Sequence, residues 1–337
     1  MQRSFTIFPT PATFLRPFNS TILDFVIPTS VHPPIYYVNR PSLLSSISDK
    51  YLTLAVPIII YWVFSLGFHA LDTAKIPYFE ARRLHESPEV LSRNKATVLQ
   101  VIKAVFWQQV VQIILALVCL EDDATVTTKG DYGGHLGEME RIAPWVVDVT
   151  LVVLGRRSGE DLLQSHGEAM VRWVYWWGIP AAQMLFAFFL IDTWQYFWHR
   201  LFHTPFLYRH VHSVHHRLYV PYAFGALYNH PIEGFFFDTL GAVVAQEVAR
   251  MSMRQALLLF SISSIKTIDD HCGYKLWWDP CQFIFSNNAD YHDIHHQVYG
   301  IKANFSQPFF TSWDRLLGTR MSREQAAKKT RRPARLD

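Results

Sequence analysis

Trp173-Val-Tyr-Trp-Trp-Gly-Ile-Pro-Ala-Ala-Gln-Met-Leu-Phe-Ala-Phe-Phe-Leu-Ile191 runs without a break into Asp192-Thr-Trp-Gln-Tyr-Phe-Trp-His199-Arg-Leu-Phe-His203. The first part is apolar and close to the roughly 20 residues a helix needs to cross a hydrocarbon layer. The second part keeps the helical period, with Asp192, Gln195, His199 and His203 on one stripe. At about 1.5 Å of rise per residue, His199 lies roughly 12 Å beyond Ile191, near a membrane surface. A membrane helix that carries paired imidazoles to the interface is the feature around which the rest of the chain is read.

Two earlier stretches, Tyr51 to Ala70 and Ile102 to Leu120, are also long enough to span, although Lys103, Gln108 and Gln109 blur the register of the second. Between them lies a polar segment, Asp72 to Thr97, with Lys75, Arg82, Arg83, Arg93 and Lys95. The next connection, Glu121 to Pro144, holds only Lys129 and Arg141. The positive-inside rule puts the former in the cytosol and the latter in the lumen, so the third span runs from lumen to cytosol and the histidines emerge on the cytosolic side. A fourth apolar region, Phe235 to Val248 and Ala256 to Ile268, is interrupted by Ala249 to Arg254 and reads as a helical hairpin dipping into the membrane. Such a hairpin returns the chain to its starting face, leaving His230 and His271 on one side. Val146 to Leu154 is too short to span and reads as a lumenal surface segment, and Trp173, Tyr175, Trp176 and Trp177 read as a lumenal interface belt.

Half of the 337 residues are apolar, 15% are aromatic and 18% charged, which is greasier than a soluble domain yet too polar for spans alone. The net charge of +3 is spread out and densest in the tail, Lys328 to Arg335, so no nucleic-acid partner is expected. Cys119, Cys272 and Cys281 are too few and too irregular for a disulfide scaffold or a zinc ribbon. The first 50 residues show no apolar core behind a basic start, so the first span is expected to serve as targeting signal. The sequons at Asn19 and Asn304 carry little weight. The expected fold is an all-α integral membrane protein with about four membrane helical segments, including a hairpin, and a cytosolic histidine-rich helical cap holding a dinuclear metal site.

Eleven of the 16 histidines lie between His199 and His296, in three patterned groups: His199/His203, His212/His215/His216 and His292/His295/His296. Offsets of three and four let each group present two or three rings to a common point. A lone histidine is more often a polar tip bonded to a carbonyl or to water, but eight in under 100 residues beside a span exceed that reading. They also exceed the needs of one ion, so two metals are inferred. Neutral imidazole suits iron, zinc and copper, and ligand type alone does not choose among them. Asp192 is a candidate to accept the second ring N–H of a ligand histidine. Glu233, Asp269, Asp270 and Asp293 are sequence neighbours of histidines with the same opportunity, and the sequence does not rank them.

HxxxH, then HxxHH, then a distant HxxHH resembles the fatty acid hydroxylase and sterol desaturase superfamily over roughly Trp173 to Leu317. The stretches Asp192 to Arg200, His212 to Tyr222, Asp269 to Tyr274 and Asn287 to His296 are most similar to those of sphingolipid carbon-4 hydroxylases. The resemblance implies metal ligands at His199, His203, His212, His215, His216, His292, His295 and His296, with His230 and His271 matching auxiliary histidines; His210 has no counterpart. The chain is expected to divide into an irregular N-terminal segment (1–50), two transmembrane helices with polar loops (51–170), a fatty acid hydroxylase catalytic domain (171–320) and a basic C-terminal tail (321–337). It implies two iron ions and O2, which hydroxylate sphinganine or dihydroceramide in the endoplasmic reticulum membrane. Neither a dinucleotide fingerprint nor a fused haem motif is present, so electrons from NAD(P)H would come through a separate cytochrome b5 and its reductase. A sterol C5-desaturase or C4-methyl oxidase would share nearly every histidine. A zinc hydrolase would be expected to show HExxH. A metal transporter would place its ligands near the bilayer midplane, and a haem carrier needs fewer imidazoles.

Overall fold

The computed structural model describes residues 20–40, 42–119 and 132–331, and every named element among them is helical. Asn19 of the first sequon, residues 121–131 of the loop at 121–144 and the end of the basic tail fall outside the described residues. Among the described residues, three helices are long and apolar enough to cross a membrane: Asp49–Ala74, Val98–Val118 and Arg156–Phe202. The first and third contain the spans expected there, and the second covers the expected span from Ile102 to Val118. Ile59, Val63, Phe106, Trp107 and Leu185 on them point large apolar side chains outward, as suits helices whose solvent is lipid. The fourth apolar region folds as a π-helical turn, Phe235–Leu240, continued by Gly241–Val248, and a separate helix, Met253–Asp270. Neither piece reaches the length and hydropathy of a span.

The chain forms two compact units, Met1–Asp49, Asp122–Leu185 and Arg250–Ser252 in one, Lys50–Glu121, Phe186–Ala249 and Met253–Asp337 in the other. In the first, helices Tyr132–Leu154 and Arg156–Trp173 pack together and a short helix, Ser20–Val26, lies against both. Gly155 separates the two long helices with φ of 76°, a left-handed conformation that glycine adopts without steric cost. Val26, Met139, Val147, Leu163, Val171 and Trp176 fill the core between them.

Two sequence expectations are corrected here. Val146 to Leu154 is not a separate surface segment; it is the last part of a 23-residue helix, with Val146 and Val147 buried. The polar residues and Pro144 preceding it hid that helix from an apolar-run reading. The aromatic run is not uniformly an interface belt either. Trp173 and Trp177 are exposed, whereas Trp176 is buried and gives its indole N–H to the Val31 carbonyl at 3.2 Å. Tyr175 bonds His135 Nδ1 at 2.8 Å, and Tyr37 bonds the other ring nitrogen at 2.7 Å.

In the second unit, Tyr61, Val101, Val105, Leu218, Phe224 and Ile268 make the main apolar cluster. The polar segment after the first span docks beside the later histidine stretches. The Leu84 amide donates to Gly273 O at 2.9 Å, Lys95 N to Arg217 O at 2.8 Å, and His85 Nε2 lies 2.7 Å from Asp293. Near the C-terminus, buried Asp314 gathers the amides of Phe305 (3.0 Å) and Ser306 (2.7 Å) and the Tyr291 hydroxyl (2.9 Å). Asn304, whose sequon drew attention, is fully buried and gives its amide N–H to Tyr291 O and Met321 O. This knot holds the segment whose Ala303 and Phe305 carbonyls face His295 and His199.

Candidate metal centre

Four elements of the second unit deliver the histidines. Helix Ile179–Phe202 carries His199, and His203 follows one turn later. A 3-10 turn, His212–Arg217, carries His212, His215 and His216, and His271 closes helix Met253–Asp270. Helix Ala289–His296 carries His292, His295 and His296; the Asn288 side chain caps it by accepting the Tyr291 amide at 3.0 Å.

The rings gather into two groups, within each of which one nitrogen of every ring lies within 4.8 Å of the others. His199, His203, His212, His216 and His295 form the first; His215, His271, His292 and His296 form the second. Each HxxHH is thereby split, its first and last histidines serving one group and its middle one the other. In the first group His199–His212 and His203–His295 are 3.1 Å apart at Nε2, His212–His203 2.8 Å and His216–His212 3.0 Å. In the second, His292–His271 and His296–His292 are both 3.1 Å apart.

The outer ring nitrogens explain these short contacts. Nδ1 of His199 faces Phe305 O at 2.8 Å, His215 Tyr228 O at 3.1 Å, and His271 Thr267 O at 2.8 Å. Nδ1 of His295 faces Ala303 O at 2.7 Å and that of His296 Leu218 O at 2.8 Å. A carbonyl only accepts, so each of these rings carries its proton on Nδ1 and turns an Nε2 lone pair inward. Three such lone pairs, from His215, His271 and His296, converge in the second group, and those of His199 and His295 converge in the first. Lone pairs facing one another repel unless a cation lies among them. Imidazole nitrogens about 2.1 Å from an ion and at right angles around it would be roughly 3.0 Å apart, the spacing seen here. The donor set fits two metal ions.

Burial keeps the rings in the neutral form that ligation needs, pushing His215 and His295 down to about 4 and His271 down to about 3. His212, His216, His292 and His296 are driven well below the ordinary imidazole range, by burial first and by neighbouring rings second.

The fatty acid hydroxylase family model matches residues 184–319, the region that carries all nine of these histidines. Among curated proteins, the sphingolipid C4-hydroxylase of Saccharomyces cerevisiae is 41% identical over 302 residues, covering 89% of this chain and 80% of its own length. The sphingolipid C4-hydroxylase of Schizosaccharomyces pombe is 42% identical, covering 84% and 92%. Sphinganine C4-monooxygenase 1 of Arabidopsis thaliana is 40% identical, covering 82% and 89%. The chain belongs to the fatty acid hydroxylase family. No solved structure matches it.

In this fatty acid hydroxylase, nine of the ten histidines singled out from the sequence lie in the two groups. His230 does not. It sits at the start of the short helix Pro231–Gly234, where its Nδ1 accepts the Ile232 amide at 3.3 Å, so its ring works as a helix cap. Asp192 also departs from expectation: its two oxygens accept the Phe309 and Phe310 amides at 2.9 and 2.7 Å, and no ring N–H reaches it among the described residues. The carboxylate that reaches a ring of the two groups is Glu233, fully buried and 2.6 Å from His212 Nδ1. Burial, and Asp238 nearby, push its carboxyl well above the ordinary range, and its second oxygen has no hydrogen-bond partner among the described residues. A cation behind His212 would offset that penalty. Of the other acidic neighbours, Asp270 pairs with Lys266, Asp269 accepts from Gln282 at 3.0 Å, and Asp293 bonds His85 and Arg323. Exposed His210 bonds only Phe206 O, at 2.8 Å. Glu233 stood unranked in the sequence because 21 residues separate it from His212; its one signal was its place beside His230.

Proposed function

We propose that this chain is a sphingolipid C4-hydroxylase, which converts sphinganine or dihydroceramide, O2, two electrons and two protons into the 4-hydroxylated lipid and water. The single observation that carries the reading is the convergence of neutral, tautomer-fixed imidazoles on two adjacent points, in a chain 40–42% identical to proteins named for that reaction. His199, His203, His212, His216 and His295 would hold one iron, and His215, His271, His292 and His296 the other. Bound iron would supply the electrons that cleave O2 and the oxidising power to attack an unactivated methylene; zinc lacks that redox chemistry.

The chain's own residues do the rest. The carbonyls of Phe305, Ala303, Thr267, Tyr228 and Leu218 and the Glu233 carboxylate hold the rings in the ligating tautomer and direction. Near-complete burial of eight of the nine rings, all but His203, excludes bulk water. The reading places the three spans and the hairpin in the endoplasmic reticulum membrane with the histidines cytosolic. Support comes from the basic residues of the 72–97 segment, which docks beside the later histidine stretches. Cytosolic exposure gives access to cytochrome b5, which with its reductase would pass electrons from NAD(P)H.

Anaerobic purification followed by metal analysis, then turnover of sphinganine with O2 and reduced cytochrome b5, tests the proposal. Two irons per chain and a 4-hydroxylated base are expected. An iron-free preparation with full activity refutes it. So does a deletion strain that accumulates sterol intermediates while keeping normal 4-hydroxylated bases.

A further inference from the structure

We propose that a cavity beside the metal centre holds the lipid, and that a polar collar of Gln195, Asp238 and Thr267 binds its head, with Asp238 taking the nitrogen. The inference rests on the functional reading above and adds to it where the substrate sits and what selects carbon 4.

The cavity, of about 170 Å³, lies within the second unit and is walled largely by apolar side chains such as Leu54, Ile58, Ile113, Val243 and Phe260. A much smaller polar space lies among His199, His212, His215, His271 and His292. Gln195, Phe237, Asp238 and Thr267 border both, so they mark the passage from apolar chamber to metal. Gln195, Thr267 and Phe237 each lie close to a clustered histidine. Gln195 precedes His199 by one helical turn, and Thr267 precedes His271 by one turn and accepts its Nδ1–H. Phe237 packs edge-on against His199 with ring centroids 5.9 Å apart. One turn of helix is about 5.4 Å, so a group held at the collar lies within a few bonds of the metals.

Asp238 is the unusual member. It is surrounded by protein yet keeps accessible surface, because it faces the cavity. It accepts Gln108 Nε2 at 2.9 Å and a further bond from Asn229, and no cationic side chain pairs with it among the described residues. A carboxylate so enclosed calls for a positive or strongly donating partner. Other cavity-lining groups also lack hydrogen-bond partners among the described residues: the Thr239 and Ser263 hydroxyls and the Gln109 amide nitrogen. A ligand with one long chain and a head carrying an N–H donor beside hydroxyls matches this distribution. In a sphingoid base the nitrogen is on carbon 2 and a hydroxyl on carbon 3. Binding both at the collar presents carbon 4 to the metals and leaves the rest of the chain in the apolar chamber.

The test uses the purified full chain and its variants Asp238→Asn and Asp238→Leu, with metal content measured on each. Two irons per chain should remain in both. The Asn variant keeps a neutral acceptor but loses the charge, so KM for sphinganine should rise about tenfold or more, with a smaller rise for dihydroceramide, whose amide N–H a neutral oxygen still accepts. The Leu variant should also place part of the hydroxyl away from carbon 4. Octadecylamine binding by equilibrium dialysis should weaken about tenfold in the Asn variant. Unchanged KM and unchanged octadecylamine binding overturn the proposal; so does metal loss in both variants, which would make Asp238 a support of the centre. If the wild type binds octadecylamine through Asp238 yet does not hydroxylate sphinganine, the functional reading fails and the collar stands.

Discussion

Glu233→Ala isolates the contribution of the buried carboxylate to one metal site. The 2.6 Å contact to His212 Nδ1 is the only link in the centre between a ligand ring and an acidic side chain among the described residues. A hydrogen bond to a charged group is worth about 1.5–3 kcal/mol, equivalent to roughly a 10- to 100-fold change in affinity. The loss should fall on the five-histidine site that contains His212 and spare the four-histidine site, where His215, His271 and His296 lean on main-chain carbonyls that the substitution leaves in place. The assay is chelator competition on the iron-loaded protein in detergent, followed by metal analysis of the retained fraction. The Ala variant should release one ion at chelator concentrations roughly 10- to 100-fold below those the wild type needs, and the second ion at the wild-type concentration. Glu233→Gln, whose amide oxygen still accepts the ring N–H, should fall between. Release of both ions at wild-type chelator concentrations refutes the reasoning, and simultaneous loss of both shows that Glu233 supports the whole fold of the centre.

His230→Ala should keep two metals per chain, since its ring caps a helix outside both groups, whereas His271→Ala should lose the ion of the four-histidine site; equal metal content in the two variants contradicts that partition. Acid should destabilise the metal-free protein. His215 and His295 are held down to about 4 and His271 to about 3 in the fold, against about 6.5 when unfolded. Between those values the unfolded chain binds protons that the native chain refuses, so stability present above about pH 6.5 is lost as pH falls, at about 1.4 kcal/mol per pH unit for each histidine. Denaturant titrations at pH 7.5 and 5.5 measure it, and equal midpoints would show that these rings are not buried neutral. Gly300→Ala should cost about 1–3 kcal/mol and loosen metal binding, because a Cβ there would stand 1.8 Å from Ile294 O, inside the turn that follows His296. A variant with wild-type melting temperature and metal content would show that this turn yields freely.

Much of the architecture was legible in the chain. Runs of apolar residues long enough for a bilayer announce themselves locally, and all three reappear as long helices with outward apolar side chains. The helix over Val146 to Leu154 was misread because its first half is polar and only its packing against Arg156–Trp173 makes it stable. Trp176 was misassigned for the same kind of reason: its neighbours in space, Val31 and Tyr37, are distant in sequence.

The histidine motifs by themselves determined that metal-binding imidazoles would cluster beside a membrane helix, since both ring count and spacing are local properties. Only the tertiary structure decided which ring joins which group. In helix Ala289–His296, residues four apart differ by about 40° around the axis and residues three apart by about 60° the other way, so His292 and His296 share a direction while His295 turns aside to the other group. It also decided that Glu233 orients His212, that Asp192 ties down the Phe309–Phe310 backbone and that His230 stays outside. Those outcomes depend on which carbonyl, amide or carboxylate arrives from a distant segment, and a hydrogen bond between such segments leaves no mark in the spacing of either one.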